Sequence, residues 1–279
     1  MSRAGKACVI GWPIEHSRSP LIHGYWLARH GIDGAYEKVA VAPNELEEFL
    51  ATLEAKGYRG VNVTVPHKEA ALRLADEADE VARAIGAANT LWLEGGRLIA
   101  SNTDAYGFVT HLDDVAPGWH AADHPACVLG AGGATRAVLK GLIDRGVSEI
   151  RLTNRTRSRA EALAREFGPA IAVYDWDDRD RALQGCGLLI NTTSLGMAGA
   201  PPLELDLGGL RDDAIVADIV YAPLETDLLA QARERGLRAV DGLGMLLHQA
   251  VPGFEKWFGV RPEVTEDLRS RIVADLEKT

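Results

Sequence analysis

The stretch Ala126-Cys127-Val128-Leu129-Gly130-Ala131-Gly132-Gly133-Ala134-Thr135-Arg136 decides how the chain is read. A short apolar run breaks into glycines and resumes at Ala137, Val138, Leu139, Leu142 and Ile143. That is the pattern of a buried strand, a tight turn and a helix packed back on the strand. Glycines let backbone N–H groups approach a pyrophosphate, and the positive end of the helix dipole favours its charge. Gly130 and Gly132 fit the GxGxxG fingerprint while Thr135 stands at its third glycine, so these residues alone also suit a tight turn in any α/β domain.

The residues that follow point to a dinucleotide. Ile150-Arg151-Leu152-Thr153 reads as the second strand of a βαβ unit and ends at Asn154. A fold that prefers NAD has Asp or Glu about 20 residues beyond the glycines to accept from the ribose 2′-OH. Here stand Asn154, Arg155, Thr156, Arg157 and Arg159, cations and hydroxyls suited to a 2′-phosphate, which indicates NADP. An ordinary basic helix start is the alternative, but cations are disfavoured at a helix N-terminus unless an anion answers them.

Composition narrows the partners. The chain has 279 residues, 47% hydrophobic and 25% charged, enough for two cores. A net charge of −10 argues against nucleic acid and anionic membranes and favours small-molecule ligands. Cys8, Cys127 and Cys186 are widely spaced with no CxxC, so neither a disulfide framework nor a metal site is expected, and a reducing, cytoplasmic setting fits. No secretory leader or 18-residue apolar run is evident, so no membrane span is expected.

Upstream of the glycines, Ala7 to Gly11 reads as a strand leading to Ser17, Ser19 and Pro20. Ser19 is read as a helix N-cap with Pro20 at the first helical position, and the two hydroxyls form a plausible seat for a carboxylate. Plain capping explains Ser19 equally well but leaves Ser17 without a role. Val61, Val63 and Val65 alternate as a strand with Asn62 and Thr64 on its other face, and Pro66 is expected to open a helix with Lys68 in its first turn. The helix dipole opposes a charge there, a placement compatible with acid–base work or with an ordinary solvated lysine. Ala87 to Leu93 and Leu98 to Ala100 read as a hairpin about Gly95-Gly96. Asp104 then heads an apolar-periodic helix, either as a favourable N-terminal charge or as an anionic partner for Lys68.

Beyond the basic stretch, buried strands end at Asn191-Thr192-Thr193 and at Asp218-Ile219-Val220-Tyr221, where α/β sheets place ligands. Gly242 to Phe258 reads as one helix with an apolar, aromatic stripe, interrupted by Gln249, that returns the C-terminus to the first domain.

Taken together these motifs resemble the shikimate dehydrogenase family, NADP-dependent enzymes of aromatic amino-acid precursor synthesis. The similarity runs over nearly the whole chain: GWPIEHSRSPLIH (11 to 23), GVNVTVPHK (60 to 68), GAANT (86 to 90), SNTDAYGF (101 to 108), VLGAGGATRAV (128 to 138), NRTRSR (154 to 159), NTTSLGM (191 to 197), DIVYAPLET (218 to 226) and DGLGMLLHQA (241 to 250). Gly24 and the pair Ala105-Tyr106 depart from the usual pattern without touching an expected catalytic side chain. The resemblance implies an α/β fold of two domains. An N-terminal substrate domain covers 1–106 with 241–279, a Rossmann-type doubly wound NADP-binding domain covers 107–240, and the C-terminal helix returns to the first domain.

It further implies that Lys68 and Asp104 form the catalytic pair. Ser17, Ser19 and Tyr221 would hold the substrate carboxylate, and Thr64, Asn89, Asp104 and Gln249 its ring hydroxyls. Gly130, Ala131, Gly132, Gly133 and Ala134 would take the pyrophosphate; Asn154, Arg155, Thr156 and Arg159 the 2′-phosphate; and Thr192, Ile219, Gly242 and Met245 would flank the nicotinamide. The implied reaction is reversible NADPH-dependent reduction of 3-dehydroshikimate to shikimate, without metal, by a cytoplasmic monomer or homodimer. The alternatives are a quinate/shikimate dehydrogenase with relaxed substrate or NAD use, and a noncatalytic dinucleotide sensor, which would have no reason to keep both Lys68 and Asp104.

Overall fold

The computed structural model describes residues 5–121 and 123–278. The chain divides into two compact units, Met1–Asp104 with Leu247–Thr279, and Ala105–Leu246. The first unit runs β1 (Lys6–Gly11), α1 (Ser19–Arg29), β2 (Ala35–Ala40), α2 (Leu46–Ala51), β3 (Tyr58–Val63), α3 (Lys68–Leu74), β4 (Glu77–Ala78), α4 (Glu80–Ile85), β5 (Thr90–Glu94) and β6 (Arg97–Ser101). From there the chain runs α5 (Asp104–Val115), β7 (Ala126–Leu129), α6 (Gly133–Asp144), β8 (Ile150–Thr153), α7 (Arg157–Phe167), β9 (Ile171–Tyr174), α8 (Arg179–Ala182), β10 (Leu188–Asn191), β11 (Ile215–Asp218), α9 (Asp227–Glu234) and β12 (Arg238–Val240). It closes with α10 (Gly242–His248), α11 (Ala250–Phe258) and α12 (Glu266–Leu276).

The first unit is built on a mixed sheet of order β2-β1-β3-β5-β6-β4. β1, β2 and β3 are parallel, whereas β5 runs antiparallel to β3 and forms a hairpin with β6. Gly95 and Gly96 turn that hairpin at φ 59° and 78°, the left-handed pair that a two-residue connection needs to match strand twist. One face of the sheet packs Ile10, Val61 and Val63 against Leu46, Phe49 and Leu50. An aromatic cluster of Trp26, Phe254 and Trp257 is buried in the same unit, and the Trp257 indole donates to the Leu91 carbonyl at 2.9 Å. A Cβ on Gly60 would lie 2.1 Å from that indole nitrogen, so glycine is what admits Trp257 onto β3.

Several local readings are corrected. α1 begins at Ser19 with Arg18 at the cap, and the Ser19 N–H donates to Ser17 Oγ at 3.3 Å. Ser17 thus makes the local turn and Ser19 is not the cap, because the Leu21 and Ile22 N–H groups that a Ser19 cap would accept from donate to the Arg18 carbonyl at 3.0 and 3.3 Å. The valine alternation does not separate core from solvent. Asn62 is 5% exposed and Val65 is 69% exposed. β3 is a central strand that ends at Val63, so Val65 lies beyond it, and α3 starts at Lys68 rather than at Pro66. The last long helix is two helices parted at Gln249. Pro252 lacks the N–H that would bond the His248 carbonyl and continue the first into the second. α11 packs on β3 and β5, and α12 packs on α1.

The second unit holds a wholly parallel sheet of order β12-β11-β10-β7-β8-β9. This is the doubly wound order, and its direction reverses between β7 and β10. β7, β10 and β11 are buried along their length, as expected for a parallel sheet covered on both faces. Among the described residues no helix is long and apolar enough to cross a membrane, and no group of three or more His, Cys, Asp or Glu is placed to hold a metal ion.

Candidate active site

In the first unit the site gathers at the C-terminal ends of the adjacent parallel strands β1 and β3. The turn after β1 carries Ser17 and Ser19. The turn after β3 carries Thr64, whose N–H donates to the Ile10 carbonyl at 2.9 Å and whose carbonyl accepts from His67 N–H at 2.9 Å. His67 is itself buried, with Nε2 2.7 Å from the Val41 carbonyl, and this anchors the start of α3. Lys68 therefore leaves a fixed point at the first helical residue.

Its ammonium donates to Asp104 Oδ2 at 2.7 Å. The other oxygen, Oδ1, accepts from Asn89 Nδ2 at 2.8 Å. Asp104 heads α5, and its backbone N–H donates to Asn102 Oδ1 at 3.0 Å. Both oxygens of the carboxylate are thus aimed, and the lysine side chain, 30% exposed against 13% for Asp104, stays open to a ligand. Such a pair can hold a proton donor against a carbonyl oxygen while accepting from a neighbouring hydroxyl. Lys68, Asp104 and Asn89 are joined directly; Gln249 stands at the head of α11.

The second unit presents the glycine turn at its sheet reversal. Gly130 has φ +110°, and a Cβ there would come 2.6 Å from Thr192 Oγ1. Added Cβ atoms at Gly132 and Gly133 would meet nothing within 4 Å, so the head of α6, where Ala134 follows, is an open cradle of backbone N–H groups. The residues present fit a pyrophosphate. Thr135, at the position of the missing third glycine, is fully buried. Its Oγ1 accepts from Gly132 N–H at 3.0 Å and lies 2.7 Å from Thr192 Oγ1.

At the head of α7, Asn154 Nδ2 donates to the Thr156 carbonyl at 2.8 Å. Arg157 is occupied by Glu161 at 2.8 Å and Asp175 at 2.7 Å. Arg155 and Arg159 are exposed and make no ion pair among the described residues, which leaves two guanidinium groups for an anion. Ile219 and Gly242 are in contact, since a Cβ on Gly242 would lie 2.3 Å from the Ile219 carbonyl oxygen, and Met245 and Ile219 both pack on the core of this unit. Tyr221 follows at the end of β11.

Two groups of polar residues escaped the sequence reading. Asp218, 2% exposed, accepts from Asn191 Nδ2 at 3.0 Å, Val220 N–H at 3.0 Å and Thr226 Oγ1 at 2.8 Å. It pins the loops after β10 and β11, and burial raises its pKa above the ordinary value. The signal was a carboxylate ending the apolar run Ile215-Val216-Ala217. The second group is Tyr36, Asn62, Thr90 and Thr103, bonded among themselves and to Asn89.

Three family models match in order: the shikimate dehydrogenase substrate binding domain over residues 9–91, shikimate/quinate 5-dehydrogenase over 113–197, and the shikimate 5′-dehydrogenase C-terminal domain over 242–268. Shikimate dehydrogenase (NADP(+)) of Azorhizobium caulinodans is 59% identical over 271 residues, covering 97% of this chain and 96% of its own. The Brucella abortus protein of the same name is 56% identical over 281 residues, covering 100% and 97%. Among solved structures, shikimate 5-dehydrogenase of Thermus thermophilus in complex with NADP(H) and shikimate superposes with TM-score 0.85 at 34% identity, covering 97% of this chain and 99% of that one. Quinate dehydrogenase of Corynebacterium glutamicum in complex with NAD does so with TM-score 0.90 at 30% identity, with the same coverage. Near-full-length identity above one half, on a chain whose two units carry a lysine–carboxylate pair and a dinucleotide cradle, places this protein in the shikimate dehydrogenase family.

Proposed function

We propose that the protein catalyses the reversible NADPH-dependent reduction of 3-dehydroshikimate to shikimate in the shikimate pathway. The observation that carries this reading is the Lys68–Asp104 pair at 2.7 Å, with Asn89 holding the second carboxylate oxygen. Bound NADPH supplies the hydride. As negative charge develops on the ketone oxygen, the Lys68 ammonium donates a proton to it, and Asp104 keeps that ammonium aimed. Asp104 and Asn89, with Thr64 and Gln249, receive the ring hydroxyls. The hydroxyls of Ser17 and Ser19 receive the carboxylate, and Tyr221 is assigned to the same group on the family resemblance.

In this reading the first unit serves the substrate, and the second, which extends to Leu246 and so includes Gly242 and Met245, serves the cofactor. Gly130 to Ala134 take the pyrophosphate, while Asn154, Arg155, Thr156 and Arg159 take the 2′-phosphate. Thr192, Ile219, Gly242 and Met245 flank the nicotinamide. Use of NAD is not favoured: no carboxylate stands just beyond β8 to accept from a ribose 2′-OH, and Arg155 and Arg159, which make no ion pair among the described residues, stand there instead. We place the enzyme in the cytoplasm as a monomer or homodimer; its three free, buried cysteines suit a reducing compartment.

The test follows the near-ultraviolet absorbance of reduced nicotinamide with shikimate or quinate, each with NADP+ and NAD+. Rapid reduction with shikimate and NADP+ alone is expected. Comparable rates with quinate or NAD+ would overturn the assigned specificity, and cofactor binding without reduction in any combination would overturn the assigned reaction.

A further inference from the structure

Thr192, Ile219, Gly242 and Met245, the residues assigned to the nicotinamide, lie on three separate stretches of the second unit. One buried side chain links all three. Asp218 ends β11 in register with Asn191 at the end of β10, and both are buried. Its Oδ1 accepts from Asn191 Nδ2 and from the Val220 N–H, both at 3.0 Å, and its Oδ2 accepts from Thr226 Oγ1 at 2.8 Å. Thr226 caps α9, so the carboxylate gathers the loops after β10 and β11 and the start of the next helix.

Donor and acceptor chemistry fixes the sense of these bonds. The Thr193 N–H, 3.0 Å from Asn191 Oδ1, can only donate, so Asn191 turns its nitrogen toward Asp218. The same nitrogen donates to the Leu195 carbonyl at 3.2 Å, and the Thr193 hydroxyl donates to Asn191 Oδ1 at 2.7 Å. Residues 191–195 therefore fold around one amide that Asp218 holds. Thr192 sits inside that turn, tied to the Leu129 carbonyl by its N–H at 2.8 Å and its hydroxyl at 2.7 Å. Ile219 is held between Asp218 and Val220, and its N–H donates to the Asn191 carbonyl at 3.1 Å. The Val220 carbonyl accepts in turn from the Gly242 N–H at 3.3 Å, and a Cβ on Gly242 would lie 2.3 Å from the Ile219 carbonyl oxygen. The head of α10, with Met245 in its first turn, thus rests on backbone that Asp218 fixes.

A carboxylate suits this place because it offers two acceptor oxygens and no donor, and each of these three partners donates. An apolar residue would fill the space but leave buried donors unsatisfied. We propose that Asp218 is a positioning residue for the nicotinamide subsite, holding Thr192, Ile219 and the head of α10 in one arrangement. The inference rests on the assignment of NADP to the second unit and of its nicotinamide to these four residues. Loss of the carboxylate is then felt at the nicotinamide end of the cofactor. Residues 154–159, which none of these bonds reaches, keep their hold on the 2′-phosphate.

Asp218→Ala removes all three bonds. Titration calorimetry should show the Kd for NADP+ raised on the order of tenfold, the scale of one hydrogen bond to a charged group, with the Kd for adenosine 2′,5′-bisphosphate unchanged. That fragment carries the 2′-phosphate and lacks the nicotinamide. Asp218→Asn keeps an oxygen for Asn191 and Val220 and presents a nitrogen to Thr226 Oγ1, so it should restore most of the NADP+ affinity. Thr226→Val cuts the Oδ2 bond alone and should weaken NADP+ with the same selectivity; it decides the question if the alanine variant does not fold. Equal weakening of NADP+ and the bisphosphate, an unchanged NADP+ affinity, or an asparagine variant as weak as the alanine one would overturn this inference alone. Failure of the wild type to bind NADP+ or to oxidise shikimate would instead overturn the functional reading on which it rests.

Discussion

His23 and Asp218 are buried ionisable groups whose burial acts on stability with opposite sign. Burial pushes the His23 imidazole down to about 3 from its ordinary 6.5. Between those values the unfolded chain binds a proton that the folded chain refuses, so stability is lost as pH falls through this window. At pH 5 the penalty is about 2 kcal/mol, at about 1.4 kcal/mol per unit of pKa difference. Asp218 is raised by burial, so the folded chain holds its proton longer than the unfolded one, and its contribution falls as pH rises above the ordinary carboxylate range. Urea denaturation at pH 7 and pH 5 should therefore show wild-type protein weakened in acid and His23→Phe weakened less; equal slopes would remove His23 as the cause. Lys68 is the residue on which the proposed chemistry turns. Lys68→Ala leaves Asp104 held by Asn89, so the fold should persist while kcat falls by about 10²- to 10⁴-fold, the contribution of a positioned acid. Steady-state kinetics with shikimate and NADP+ should show KM changed far less than kcat, as for a bond made chiefly in the transition state.

The turn between β7 and α6 shows what an element adds to its residues. Thr135 replaces the expected third glycine, yet its hydroxyl accepts from Gly132 N–H and meets Thr192, which in turn donates to the Leu129 carbonyl at 2.7 Å. Thr135→Val keeps the shape, removes both bonds, and leaves the Gly132 N–H without this partner, a cost of about 1–3 kcal/mol. NADP+ affinity measured by titration calorimetry should fall several-fold while the KM for shikimate holds; an unchanged affinity would show that the clamp does not shape the cradle. The position of Thr135 was plain in the sequence, but its role was not, because Thr192 lies on a different strand end and only the fold brings the two together. The same limit explains the other misses. Strands and helices with strong periodicity, the Gly95-Gly96 hairpin and the run of buried strands from β7 to β11 were legible from local pattern. Asn62 was read as the outward face of β3 because alternation assumes one wet side, whereas a central strand covered on both faces buries its polar residues and satisfies them with long-range hydrogen bonds. Ser19 was read as a cap because Ser-Pro is a common helix start; only the turn geometry reveals that the helix begins one residue earlier and that the Leu21 and Ile22 N–H groups donate to the Arg18 carbonyl.

At the scale of the molecule, the net charge of −10 repels both anionic ligands, so binding must rest on local groups that oppose the general field. Those groups fall in two units, each with its own sheet and core. On the proposed assignment, in the first they are the hydroxyls and N–H groups at the head of α1 with Lys68. On the same assignment, in the second they are the head of α6 with Arg155 and Arg159, which make no ion pair among the described residues. A ligand that binds only the folded form stabilises chiefly the segments that contact it, which appears as slowed amide exchange. Hydrogen-exchange mass spectrometry should therefore give separate footprints. NADP+ alone should protect residues 130–136, 154–159 and 192–196 and leave 62–68 and 89–104 at their free rates. Shikimate alone should protect the latter pair and the start of α1. Protection of 89–104 by NADP+ alone would move the cofactor's contacts into the first unit. Protection of 154–159 by shikimate would mean that the unpaired arginines receive the substrate carboxylate instead of a 2′-phosphate, and the assignment of the two units would have to be exchanged.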